Sequence, residues 1–147
     1  MRKQAYTLFA TASLVLMLAA ISVHAQSVRL MANIPFNFTV KNRTLPAGEY
    51  TVEPIQIGGS QALRIQSRDG RITALVPAQF NRTGESRAKP KLIFNRFGDQ
   101  YFMAQALGFE GDAIYTLPRS STEEALARGE SDLKQQTVSV TGRRQGK

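Results

Sequence analysis

Beyond residue 25 this chain has no histidine, no cysteine and no tryptophan; its single histidine is His24. These absences exclude more functions than any residue present asserts. A Ser-His-Asp or Cys-His nucleophile cannot be assembled without an imidazole. Typical zinc sites need histidine or thiolate ligands, and protein-bound haem usually needs the same donors. No cofactor and no metal site is therefore expected. Disulfides are impossible, so packing alone must hold the fold, and no cysteine is there to carry a lipid.

Long apolar runs are also scarce. The one that exists, Leu8 to Ile21, follows the basic pair Arg2 and Lys3 and precedes Val23-His24-Ala25. This is the grammar of a secretory signal peptide over residues 1–25, with cleavage before Gln26. The run is short of the ~20 residues a spanning helix needs. No later segment is long and apolar enough to cross a membrane as a helix. The expected location is exported, periplasmic or extracellular. Of 147 residues, removal of 25 leaves 122, one domain with its own core. It takes Arg2 and Lys3 from 19 basic residues and none of the 11 acidic ones, so the net charge falls from +8 to +6.

What remains reads as strands. Ile34, Phe36, Phe38 and Val40 alternate with Pro35, Asn37, Thr39 and Lys41. Successive side chains of a strand point to opposite faces, so four large apolar groups share one side. Leu45-Pro46-Ala47-Gly48 is a turn, and Tyr50 and Val52 resume the alternation. Ile55 and Ile57 fall on the other phase, which predicts a bulge at Pro54. Ala62–Ser67 is a short strand, Arg68-Asp69-Gly70-Arg71 a hairpin turn, and Ile72 to Phe80 continues on a period of two. Lys91–Phe97 and Gln100–Leu107 form a pair apolar on both faces: Leu92 and Phe94 against Ile93 and Phe97, Tyr101 and Met103 against Phe102, Ala104 and Ala106. Ala113–Leu117 is a last clear strand. Ser121 and Glu124 predict a capping box, with Glu123 in the first helical turn and Gly129 as terminator. The expectation is an all-β, small antiparallel sandwich or barrel with one short C-terminal helix, and both architectures stay open. Residues 26–130 form the β-rich domain. Residues 131–147 are a basic polar tail, or an edge strand through Val138 and Val140.

Short motifs add little chemistry. Ser86–Lys89 and Ser131–Lys134 match Ser-x-x-Lys but lack its catalytic companions. Glu49, Glu53, Glu110 and Asp112 are the carboxylates open to glycosidase-like pairing; Glu49 and Glu53 are expected on a solvent face. Glu110 and Asp112 are too few acids for a calcium loop. Asn37, Asn42 and Asn81 each begin an Asn-x-Thr sequon. Arg82, Arg87, Lys89 and Lys91 form the candidate ligand-binding set, a basic segment that attracts anionic polymers. Its expected partners are anionic envelope polymers or another envelope protein, and no nucleic acid, since no nucleic-acid module motif is present.

With IPFNFTV, LPAGEYTV, KLIFNRFGDQYFMA and LPRSSTEEALARG in view, the chain resembles a group of small secreted bacterial β-rich proteins of unknown function. The resemblance covers most of residues 26–147 and implies no site residues. The turn-strand at Leu45–Glu53 is also similar to that of prealbumin-like surface sandwich modules, some of which form Lys–Asn isopeptide bonds. This chain has no Asn after Asn95, so the late Asn of that pattern is missing.

Three functions fit these observations. The first is an exported non-catalytic binding or structural module of the cell envelope. The second is a carrier of a small apolar ligand inside a barrel lined by Phe36, Phe38, Phe94 and Tyr101. The third is a carboxylate-based hydrolase of an envelope polymer.

Overall fold

A computed structural model describes residues 28–84, 88–129 and 134–146. The predicted signal peptide, Arg87 and Ser86 lie outside the described residues, as does Ser131. Among the described residues no helix is long and apolar enough to cross a membrane.

Two sheets face each other across an apolar core. The first is ordered β12-β1-β4-β5-β6, from strands β1 (Arg29–Ile34), β4 (Gly48–Ile57), β5 (Ser60–Ser67), β6 (Thr73–Pro77) and β12 (Arg143–Gln145). The second is ordered β11-β8-β9-β10-β7, from β7 (Gln79–Arg82), β8 (Lys91–Phe97), β9 (Gln100–Leu107), β10 (Ala113–Thr116) and β11 (Gln135–Thr141). A short hairpin of β2 (Phe38–Val40) and β3 (Arg43–Leu45) joins it through one parallel bridge, Thr39 to Phe102. Neither ladder closes on itself, so the architecture is a sandwich.

The chain crosses between the sheets in consecutive strands, and each crossing has a local cause. The predicted hairpin over residues 34–52 is one long ladder bent in the middle. Its outer end pairs Phe38 with Leu45 in the second sheet, and its inner end pairs Ile34 with Gly48 in the first. Pro35 and Pro46 stand at the bends, where a missing N–H interrupts pairing at no loss. The two bends are tied together: the Ala47 N–H donates to Asn37 Oδ1 at 3.0 Å, and the Tyr50 hydroxyl donates to the Pro46 carbonyl at 2.8 Å. Apolar alternation runs unbroken through Ile34, Phe38 and Val40, all buried, although the run serves two sheets.

The second crossing follows Pro77, where β6 leaves the first sheet and β7 enters the second. The third is at Gly142, between β11 and β12. There the N–H donates to the Pro90 carbonyl at 2.8 Å, and an added Cβ would lie 2.3 Å from Leu30 Cδ2. Residues 134–146 are thus edge strands of both sheets: β11 pairs β8 from Gln135–Phe97 to Thr141–Lys91, and β12 pairs β1.

Two expectations about strand parity are corrected. The ladder between β4 and β5 runs without a slip from Tyr50–Ser67 to Ile57–Ser60, so there is no bulge at Pro54. Ile55 and Ile57 simply belong to the outer face, where Ile57 is half exposed. Glu53 shares that face but is not solvated: it is 5% exposed, clamped by Arg29 from β1 and Arg64 from β5. The bulge is instead in β9. Ile93 faces Gln105 and Phe94 faces Met103, leaving Ala104 as the extra residue, whose carbonyl accepts from the Leu117 N–H at 2.8 Å. The slip turns Ala106 into the core, opposite in face to Phe102.

Helix α1 (Ser121–Ala127) begins one residue earlier than the predicted capping box. Ser120 is the cap, its Oγ accepting from the Glu123 N–H at 3.1 Å. Gly129, at φ +84°, ends the helix as expected, its N–H reaching the Leu126 carbonyl.

Candidate binding cleft

The outer face of the second sheet carries a polar surface built row by row. Residues opposite one another in an antiparallel ladder share a face. Ile93, Gln105 and Thr116 form one such row across β8, β9 and β10; Thr137, Asn95 and the buried Phe102 form the next, across β11, β8 and β9. The β9 bulge sets this pattern, because it turns the Gln105 side chain outward beside Thr116, with Gln105 Nε2 and Thr116 Oγ1 3.5 Å apart. Helix α1 lies beside these rows and lowers one carboxylate towards them.

That carboxylate is Glu123, 2% exposed. Its Oε1 accepts from Asn95 Nδ2 at 2.7 Å, and Asn95 Oδ1 accepts from Gln135 Nε2 at 3.0 Å. Asn95 is itself 8% exposed. Arg119 Nε stands 3.9 Å from the same Glu123 oxygen, close enough for charge compensation and too far for a hydrogen bond. Above this chain opens a cleft of about 340 Å³. Ile93, Ala104 and Leu117 supply its apolar floor; Gln105, Thr116 and Thr137 supply side-chain amide and hydroxyl groups. A buried carboxylate is costly unless it is paired and hydrogen-bonded. Asn95 and Arg119 meet that requirement here.

The predicted basic set falls elsewhere. Arg82, on edge strand β7, pairs with Asp112 at 3.2 Å and lies 5.9 Å from the centre of the Phe80 ring. Lys91 opens β8, half-buried, and Lys89 is exposed just before it. Arg82 and Lys91 are separated by three strand spacings, roughly 14 Å. Arg87 lies outside the described residues. Arg144 is used structurally: it donates to the Gly108 and Ala88 carbonyls and holds the segment before β8 against β12.

The four suspect carboxylates do not gather. Glu49 pairs with Arg68, Glu53 with Arg29 and Arg64, all on the first sheet. Asp112 and Glu110 sit in the loop between β9 and β10 of the second. Among the described residues no three of His, Cys, Asp and Glu come together. Of the four aromatics expected to line a ligand chamber, Phe38 and Phe94 are buried in the core, and Phe36 and Tyr101 pack half-buried against it. Phe36 stacks on Tyr101 at 3.8 Å, and Phe94 takes the edges of Phe36 and Phe38 at 5.1 and 5.6 Å.

No protein-family model, curated protein or solved structure matches the chain. Asn95 was missed; the signal that could have found it is an amide inside the otherwise mostly apolar strand Lys91–Phe97. Glu123 was legible only as a favourable charge in a first helical turn, since its contact with Asn95 spans 28 residues of chain.

Proposed function

We propose that this protein is an exported, non-catalytic binding module of the cell envelope, and that the cleft over the outer face of β8, β9 and β10 is its binding site. The observation that carries this reading is the pair Asn95 and Glu123: two buried polar groups at the base of an open, polar-walled cleft. Ligand sites characteristically combine apolar walls with a few placed polar groups in a concave surface. Three further features support it. The segment Arg2 to Ala25 has the order of a secretory signal. The interior is packed with aromatic rings, which leaves little room for a carrier's cargo. The carboxylates a hydrolase would need are split between two sheets, and most are already committed to arginine.

Fractionation of the host and intact-mass measurement test the export half, with the mature chain expected to begin at Gln26 in an exported fraction. Recovery of uncleaved chain from the cytoplasm overturns it. Incubation with purified envelope polymers tests the non-catalytic half. The expected result is no turnover. Hydrolysis that disappears in E49Q, E53Q, E110Q or D112N would refute the reading.

A further inference from the structure

We infer that the cleft takes an uncharged saccharide, one or a few sugar rings of a neutral glycan. The inference rests on the binding-site reading above and adds the ligand's chemistry to it.

Three observations select that class. The first is charge. Glu123 is fixed by Asn95 and cannot swing away, so an anionic ligand would enter against a buried carboxylate. A cationic ligand meets Arg119 on the same wall, its side chain 47% exposed. The two charges stand 3.9 Å apart and largely cancel, leaving a neutral site. The chain's net positive charge is spent elsewhere, on Lys89, Lys91 and Arg143, none of which lines the cleft. The second is the kind of polar group on offer. Gln105, Thr116 and Thr137 each carry both donor and acceptor capacity. A sugar hydroxyl also donates and accepts at once, so each can be satisfied without ionised partners. The third is the floor. Ile93, Ala104 and Leu117 present an apolar surface to which the C–H face of a sugar ring can lie flat.

An extended peptide is the competing neutral ligand. Peptides are captured by the unpaired backbone of a sheet edge, with side-chain pockets giving specificity. Here the cleft floor is the face of a sheet whose central strands are paired on both sides, and what reaches the ligand is side chains. That favours hydroxyl recognition over strand addition.

The test is a ¹H–¹⁵N titration of the protein, with the side-chain amides of Asn95, Gln105 and Gln135 as reporters. The probes are maltotriose and N,N′,N″-triacetylchitotriose as neutral saccharides, trigalacturonate as an acidic one, spermine as a cation and trialanine as a peptide. The expected result is saturable shifts of those three amides with at least one neutral saccharide. Weakening of at least tenfold is expected in Q105L and in the isosteric T116V. Both substitutions spare the Asn95–Glu123 pair, and an unchanged ¹⁵N spectrum outside the cleft confirms folding. Stronger binding of trigalacturonate, spermine or trialanine at the same amides overturns the saccharide inference while leaving the binding-site reading standing. Silence of these amides towards every probe overturns both.

Discussion

Replacing Gly142 with alanine tests the third sheet crossing and hence the placing of the C-terminal strands. The added Cβ would lie 2.3 Å from Leu30 Cδ2, 2.7 Å from its Cγ and 3.2 Å from its Cδ1. Comfortable carbon contacts are about 3.5–4.0 Å, so one side must retreat by roughly 1.2 Å or more. Leu30 is fully buried and has nowhere open to go. Overpacking of this kind costs about 1–3 kcal/mol. Alanine also restricts the unfolded chain, which returns about 0.4–1 kcal/mol. The net expectation is a loss of about 1–2 kcal/mol, or a Tm lower by about 4–8 °C for a domain of this size. Urea and thermal unfolding of G142A, L30A and the double variant read it out. L30A alone should cost about 2–5 kcal/mol through its cavity. In the double variant the clash is gone and the new methyl partly refills the space, so it should be no less stable than L30A. G146A, whose Cβ meets nothing within 4 Å, is the control and should lose no stability against the parent. A G142A protein as stable as the parent would refute the crossing, as would single-variant losses that add within about 0.3–0.5 kcal/mol.

Three further outcomes follow from the same geometry. E53A should lower stability by about 1–3 kcal/mol in urea unfolding, because it strands Arg29 and Arg64 facing one another; the lower half of that range is favoured by their partial exposure, and a variant matching the parent would contradict the clamp. E123A should cost about 1–3 kcal/mol by leaving buried Asn95 Nδ2 without an acceptor, while E123Q keeps one and should lose less; equal losses in the two would show that the hydrogen bond does not matter. Burial raises the Tyr50 phenol above 10.0, reinforced by Asp69 and opposed by Arg43; burial and then Glu110 raise Tyr115. Each phenol therefore keeps its proton in the fold at a pH where the unfolded chain releases it. The stability so contributed is full below pH 10 and is lost as pH rises through the folded values. Unfolding free energies between about pH 9 and 11 should fall less steeply in Y50F and Y115F than in the parent.

The bounds of strands β8 and β9 were legible to the residue, because a dense apolar run between Pro90 and Gly108 is interrupted only by the turn at Gly98-Asp99. Period-two alternation also picked out Leu63 and Ile65, both fully buried. What alternation cannot express is which sheet a strand belongs to. Ile34 to Val40 reads as one strand, yet the backbone turns a corner at Pro35 without changing the phase of the side chains. Parity arguments also assume that an outward position is wet. Glu53 broke that assumption because two arginines from neighbouring strands close over it. Ala106 broke the parity itself, because the bulge at Ala104 depends on a partner, Leu117, that no local pattern announces. The cleft was the least visible part. Asn95, Gln105, Thr116 and Glu123 come from three strands and a helix, and only the ladder register brings them together.

The polar chain at the base of the cleft is hard to explain by stability alone. Two buried groups bonded to each other contribute little net over an apolar pair of the same shape, and a buried carboxylate adds a desolvation cost. The fold does not depend on it for cohesion. Each sheet is bounded by a strand that runs on into the margin of the other: β6 continues as β7, and β11 continues as β12. Peeling either margin therefore disturbs both ladders at once, and the aromatic interior lies between them. A sandwich tied in this way can carry a polar defect on an outer face, provided the defect is satisfied. Asn95 and Arg119 satisfy Glu123, and they do so while leaving Gln105, Thr116 and Thr137 facing open space. The pair itself is covered, Glu123 at 2% and Asn95 at 8% exposed, and only the row of Gln105, Thr116 and Thr137 beside it stays open.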